Sequence, residues 1–408
     1  MRKARKHDDL FTIVDSSIHS TNHLIDTNSA TQEKNVKISE TEIPQILENI
    51  KNAEIAEESL FTLSKMSIKQ IGSIVQQNPS LVQLLLSYIS PNTLNLILPS
   101  LNIIYKCCCI PDFPPFLLNF VSLHHFTELA FSNFPDEILR IVCKIYSQLI
   151  KANGSSAEEE IIFFLNNADQ IENGYIKASA LRNILIYLNT VSEIPILFSQ
   201  MNLIERLNAN LLNLHYSQQL IMTLKIIEHC IHEKGVSFTC FNVEQIIRLM
   251  KTENILDVQI WTTKIMNIIL LNDSIENFPF KAQLCNSLHW IILKGAFASK
   301  LQAIFCLRTL IGLYSDHFPQ LELLLDPEFF QSIFGLLSSG NDGVVTALSF
   351  LMCLIQVTSH PEIVRSTLSS LQENEIREEI EELSMHEEDI ISTHAIELLK
   401  RIDSNCMF

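Results

Sequence analysis

The sequence predicts an all-α solenoid, in which short helices stack one repeat after another. Hydrophobic residues make up 47% of the 408 positions, enough to bury an extensive core. Only 9 Gly and 13 Pro are present, fewer than the turns of a β-rich fold would need. From Thr41 almost to the end, apolar residues recur at spacings of three and four, the period of an amphipathic helix.

Long apolar segments recur along the chain at a nearly constant distance. Central positions in the first five are separated by 42, 39, 43 and 41 residues. A period near forty is typical of armadillo and HEAT solenoids. Two shorter helical pieces precede the long segments, as in "VSFTCFNVEQIIRLMKT", and this favours the armadillo type. We therefore predict an armadillo-like right-handed superhelix of about eight to nine three-helix repeats over residues 41–402.

The long segments are the predicted third helices of these repeats, and their central positions should line one continuous concave groove. In chain order they are "LILPSLNIIYKC", "EILRIVCKIYSQLI", "ASALRNILIYLNT", "QQLIMTLKIIEHCI", "DVQIWTTKIMNIILL", "SKLQAIFCLRTLIGLY", "GVVTALSFLMCLIQV" and "STHAIELLKRI". The five aligned central positions are Asn102, Lys144, Asn183, Ile226 and Asn267.

The regions outside the repeats differ in composition from them. Residues 1–11 read "MRKARKHDDLF" and concentrate positive charge. Residues 12–40 are rich in Ser, Thr, Asn and Asp without a sustained apolar period, which predicts a flexible linker. Residues 403–408 are predicted to be a C-terminal tail.

The formal net charge of −17 indicates which partners the chain attracts. An acidic body repels nucleic acid and anionic membranes and attracts basic segments, so we expect a basic peptide or protein as ligand. No run of about 18 apolar residues suggests a membrane span. The ten Cys stand singly or in "YKCCCI", without paired CxxC motifs, so neither a zinc site nor a disulfide framework is expected.

Sequence motifs for catalysis are also lacking. The sequence holds no Gly-rich phosphate loop and no Gly-x-Ser-x-Gly nucleophile elbow. "EHCIHE" places His229 and His232 three residues apart without a further ligand pair, which is poor evidence for a metal site. We expect no enzyme activity, no cofactor and no metal.

Two stretches resemble the importin-α family. "RKARKHDDLF" resembles the later part of its importin-β-binding segment, and "EEIEELSMHEEDIISTHAIELLKRI", residues 378–402, is similar to its closing repeat. "IPQILENIKN" also resembles its first-repeat helix. The family's segment has an Arg-rich stretch upstream and a Lys-Arg-Arg downstream that this sequence does not carry, so we expect a truncated form.

The resemblance implies a divergent nuclear import adapter. It would bind importin-β through its N-terminal segment, carry basic localisation signals in its groove, and meet a nuclear export receptor at its last repeat. Such a protein moves between cytoplasm and nucleus. The residues that would contact importin-β are Arg2, Lys3, Arg5 and Lys6.

In importin-α each third helix carries Trp-x-x-x-Asn, which grips the cargo backbone and lysine stems, but that motif does not occur in this sequence. Trp261 lies in the right helix two positions out of register, and a core position is equally open to it. The Asn residues are also open to a role as ordinary polar surface positions. The candidate groove residues are Asn102, Asn183, Asn267, Trp261, Ser179 and Thr263.

The sequence therefore leaves two functions open. The first is the import adapter. The second is a generic armadillo scaffold without a transport role. Deleting residues 1–11 distinguishes them, because only the first requires that segment to bind importin-β.

Overall fold

A computed structural model describes most of the chain, and every long element in it is a helix. The described residues contain no strand and are 38–39, 41–90, 93–192, 202–213, 217–253, 255–272, 278–314, 319–357 and 360–405. The predicted basic segment and nearly all of the predicted linker lie outside them. The chain divides into two compact units, Met1–Ala152 and Asn153–Phe408.

The helices of the first unit are short except for two. They are α1 (Ile43–Ile50), α2 (Ala56–Ser64), α3 (Ile68–Gln77), α4 (Ser80–Ser87), α5 (Leu94–Cys108), α6 (Phe113–Leu117), α7 (Leu123–Ala130) and α8 (Asp136–Asn153).

The second unit alternates shorter helices with long ones. They are α9 (Glu158–Asp169), α10 (Gly174–Leu188), α11 (Leu203–Asn210), α12 (Ser217–His232), α13 (Val243–Leu249), α14 (Leu256–Leu271), α15 (Lys281–Lys294), α16 (Phe297–Tyr314), α17 (Pro327–Phe334), α18 (Asn341–Leu354), α19 (Pro361–Leu371), α20 (Asn374–Leu383) and α21 (Asp389–Asn405). The last helix continues into the predicted tail.

All eight long segments predicted from the sequence form helices, which confirms that part of the prediction. Local signals set several helix starts. The Asn173 side chain accepts hydrogen bonds from the backbone amides of Tyr175 and Ile176, at 3.0 and 3.1 Å, and so caps α10. Asp326 caps α17 through the amide of Glu328, and Pro327 occupies the first helical position, where its missing N–H costs nothing.

The long helices of the second unit pack against one another in sequence order. We call α10, α12, α14, α16, α18 and α21 the third-helix row, since each packs on the next. Helices α13 and α15 form a second layer that packs against it, and α17 joins this layer by packing on α15. This arrangement is that of an α-solenoid, in which each repeat buries its apolar face only against its neighbours.

In each unit a lysine at the end of a long helix donates to the backbone at the end of an earlier helix. In the first unit, Lys106 near the end of α5 donates to the carbonyls of Ser64 and Met66, at 2.5 and 3.0 Å, where α2 ends. In the second unit, Lys234, just after α12, donates to the carbonyl of Val191, which follows α10. A cation at a helix C-terminus neutralises its exposed carbonyls and is favoured by the helix dipole.

None of the helices in the described part of the chain is both long and apolar enough to cross a bilayer.

Candidate functional site: the third-helix row

Each helix of the row buries one side and leaves a stripe of residues accessible. On α14 the stripe includes Trp261, Lys264 and Asn267, all half-buried, while Thr262 and Met266 between them are completely buried. This is the spacing of three that keeps side chains on one helical face. The accessible stripes of the packed helices therefore provide the surface on which a partner could lie.

Trp261 is the centre of a cluster of charged side chains. The Nζ atom of Lys225, from α12, lies 5.1 Å from its ring centroid, and that of Lys264 lies 5.0 Å away. Ammonium groups at this distance are attracted by the negative face of an indole. Lys264 also forms an ion pair with Glu228 of α12, 3.0 Å from its Oε1. The cluster thus joins α12 to α14 by polar contacts.

The next step along the row, from α14 to α16, is also polar. The hydroxyl of Thr309 lies 3.0 Å from the Oδ1 of Asn267 and donates a hydrogen bond to it. One residue before, the guanidinium of Arg308 lies 5.1 Å from the ring centroid of Phe305. Burial lowers the pKa of Arg308, while the neighbouring Cys353 thiol acts in the opposite direction. Arginine nevertheless stays charged at neutral pH, because its ordinary pKa is so high.

Charge on four helices of the row, α10, α12, α14 and α16, is opposite in sign to that of the chain as a whole. Beyond their first turns, α10, α12, α14 and α16 carry one acidic residue, Glu228, and four basic ones: Arg182, Lys225, Lys264 and Arg308. Acidic side chains are concentrated instead on the shorter helices, for example at Glu158, Glu159 and Glu160 of α9, at Glu205 of α11, at Glu244 of α13, and at Glu375, Glu378, Glu379, Glu381 and Glu382 of α20. The net charge of −17 therefore does not describe this surface.

The first unit repeats the pairing of a cation with an aromatic ring. Lys144 of α8 lies over Tyr105 of α5, with 5.6 Å between its Nζ and the ring centroid. Both residues belong to long helices that the sequence predicts to be third helices. Cation–aromatic contact between such helices is therefore found in each unit.

Three of the predicted groove residues are wrong as surface positions. Ser179 and Asn183 of α10 have exposed fractions of 3% and 0%, and Thr263 of α14 is also completely buried. The hydroxyl of Thr263 donates to the carbonyl of Gln259 in its own helix, at 2.7 Å. The predicted register fails by one residue: each step along a helix turns the side chain by about 100°. Arg182, the neighbour of Asn183, holds the accessible position.

The remaining predicted residues are partly accessible. Asn102 and Asn267 are half-buried, and Asn267 is engaged by Thr309 as described above. Of the two positions that the sequence leaves open for Trp261, the structure shows the accessible one, on the stripe of α14. The predicted importin-β contacts Arg2, Lys3, Arg5 and Lys6 lie outside the described residues.

The sequence motif "EHCIHE" does not assemble a metal site. Across the part of the chain that the structure describes, no group of three or more His, Cys, Asp or Glu side chains is placed to hold an ion. Cys230 is buried, and burial raises the pKa of its thiol to about 12, with Lys234 acting in the opposite direction.

Comparison with solved structures supports the fold alone. The chain is similar to an engineered protein, at a TM-score of 0.51 and 10% sequence identity, over 88% of this chain and 98% of that one. It also matches a structure from work on a phosphorylation switch that controls the interaction between cadherin and beta-catenin, at a TM-score of 0.49 and 12% identity, over 87% and 69% of the two chains. No protein-family model and no curated protein sequence matches the chain.

Proposed function

We propose that the chain is an armadillo-type interaction scaffold that holds an extended segment of a partner protein along the third-helix row. The repeats would number about eight to nine and form a right-handed superhelix. The observation that carries the proposal is the Trp261 cluster, where a large aromatic ring stays accessible between two lysines on packed helices. The role is one of binding, without catalysis.

The geometry of a helix row suits an extended ligand. Packed helix axes lie about 10 Å apart, and an extended chain advances about 3.3 Å per residue. Every third residue of a bound segment would therefore meet the next helix of the row. Trp261 on α14 and Phe305 on α16 are both half-buried and offer ring surface on consecutive helices of the row.

Replacing Trp261 by alanine should weaken partner binding by about tenfold, since aromatic residues contribute strongly to binding surfaces. Trp290 offers a matched control, because it is also half-buried but lies on α15, outside the row. Peptides selected from a random library against the whole chain would be titrated by calorimetry against both variants. Equal losses for Trp261→Ala and Trp290→Ala, or none for either, would contradict binding on the row.

The import adapter is a second candidate, favoured by the resemblance of residues 2–11 and 378–402 to importin-α. In this candidate the chain shuttles between cytoplasm and nucleus, with importin-β at the N-terminal segment and an export receptor at the last repeat. The basic central positions of the row make a basic localisation signal an unfavourable ligand there. The candidate therefore depends chiefly on the N-terminal segment.

For this candidate, deleting residues 1–11 should abolish binding to purified importin-β. Deleting an equally long piece of the following polar stretch, residues 12–22, should leave binding unchanged. The measurement is a pull-down at low ionic strength, where charge-assisted contacts are strongest. Retention of the shortened chain by importin-β, or failure of the intact chain to bind it, would argue against an adapter role.

A further inference from the structure

We propose that the ligand of the third-helix row is an acidic peptide segment, whose carboxylates pair with Lys225 and Lys264 beside Trp261 and with Arg308 on the next helix of the row. This inference rests on the scaffold function proposed above and adds the chemical class of the partner. It is opposite to what the net charge of the chain suggests.

The first argument is the local excess of positive charge. The central turns of α10, α12, α14 and α16 carry four basic residues and one acidic residue, Glu228. The other acidic residues of these helices and of α18, Asp257 and Asp342, lie in first turns, where the helix dipole stabilises them. A ligand that lies across the helix centres would therefore meet cations first.

The second argument concerns Arg308. Within the described residues, neither Arg308 nor Arg182 forms an ion pair with a carboxylate. Arg308 is half-buried, and a cation that is partly withdrawn from water without a counter-charge is costly. A carboxylate supplied by a partner would remove that cost, and the planar guanidinium can hold it with two parallel hydrogen bonds.

The third argument is that the two lysines are already positioned. Both ammonium groups lie about the indole of Trp261, at 5.1 and 5.0 Å, so less side-chain freedom is lost when a ligand binds. Lys264 also forms an ion pair with Glu228, with 3.0 Å between its Nζ atom and the Oε1 atom of the carboxylate. A peptide carboxylate would compete with Glu228 for that ammonium, which gives the proposal a distinctive test below.

A peptide fits this surface better than a nucleic acid does. The four cations are spread over four helices, or about 30 Å at ordinary helix spacing, which about nine extended residues would span. Nucleic acid phosphates are far denser, with one charge per about 3.4 Å along a single strand of a duplex. Phosphates in excess of those that the four cations neutralise would be repelled by the rest of the chain, whose formal net charge is −17.

The test titrates fluorescein-labelled peptides of about ten residues against the full chain by anisotropy. One peptide carries Glu at every third position, a second carries Gln there, a third carries Lys, and an oligothymidylate serves as the nucleic acid probe. We expect the Glu peptide to bind roughly tenfold or more tightly than the Gln peptide, and this advantage to shrink with added salt.

The variants locate the binding site. Lys225→Glu and Lys264→Glu should each lower the affinity for the Glu peptide roughly tenfold. Lys251→Glu, at an exposed position after α13, should leave that affinity nearly unchanged. Lys225→Arg should retain binding, which separates loss of charge from loss of fold. Glu228→Gln should strengthen binding roughly threefold, because it releases Lys264 from its ion pair. Circular dichroism of every variant verifies folding.

The outcomes separate this inference from the scaffold function. If the Lys or the Gln peptide binds best and Trp261→Ala weakens it, the scaffold stands and the acidic ligand is wrong. If the Glu peptide binds but Lys225→Glu and Lys264→Glu leave its affinity unchanged, the site lies elsewhere and the inference fails. Tighter binding of the oligothymidylate would also overturn it. If no peptide binds and none can be selected from a library, both proposals fail.

Discussion

Replacing Phe329 by alanine is expected to lower the free energy of unfolding of the second unit by about 4 kcal/mol. Phe329 of α17 is completely buried. Its ring stacks on His289 of α15, with 5.5 Å between centroids, and meets Phe350 of α18 edge-on at 5.9 Å. Truncation would leave a cavity at the point where the second layer contacts the third-helix row, and a close-packed solenoid cannot fill it.

Urea unfolding followed by circular dichroism measures this loss. Phe334→Ala is the matched control on the same helix, because Phe334 is only half-buried and stacks on Phe330 with 6.0 Å between ring centroids. It should cost well under half as much, since less surface leaves water when this ring packs. A similar loss for both variants would show that the contact between the layers does not depend on Phe329.

The same cluster has an acid-sensitive member. Burial lowers the pKa of His289, although the carboxylate of Asp326, 3.5 Å away, acts in the opposite direction. The unfolded chain therefore takes up a proton at a higher pH than the folded chain does. The stability that neutral His289 provides is present above the ordinary histidine pKa and is lost as the pH falls through the lowered one.

Much of the fold could be predicted because the signal is local and repeated. An apolar period of three to four marks each long helix, and the distance of about forty residues between them implies stacking. The packing of α10, α12, α14, α16, α18 and α21 in chain order follows from that repetition. Repeated segments of one length have only their neighbours to bury their apolar faces against.

The candidate site could not be predicted with the same success. Aligning Asn183 with Asn267 requires the register to be right within one residue, and an error of one residue turns the side chain from solvent into the core. A better signal was present in the sequence. Lys225, Lys264 and Arg308 interrupt otherwise apolar helices, and such charges must turn towards water or towards a partner.

Net charge and local charge predict different ligands, for a related physical reason. A formal charge of −17 describes the field far from the molecule, which steers encounters. A bound segment senses charges within about 8 Å at physiological salt, and the charges in the central turns of α10, α12, α14 and α16 are mostly positive. Sequence alone does not show which helix of each repeat carries the cations on its accessible side.

Replacing Gly343 by leucine should destabilise the second unit by about 3 kcal/mol, because α16 and α18 approach closely at their first turns. Gly343 is buried in the first turn of α18. A Cβ atom there would meet the ring of Phe297, from the first turn of α16, at 3.2 Å, and would also meet the Ser339 hydroxyl. The longer side chain would force the two helices apart.

Gly343→Ala provides the graded control. Its single methyl group requires only that the Ser339 hydroxyl rotate and the exposed Phe297 ring yield slightly, and alanine favours the helix by about 1 kcal/mol over glycine. We therefore expect Gly343→Ala to be nearly neutral and Gly343→Leu to lower the urea midpoint markedly. If both variants unfold at the same urea concentration as the parent, the two first turns have room between them. The packing of α16 on α18 would then depend on contacts further along the two helices.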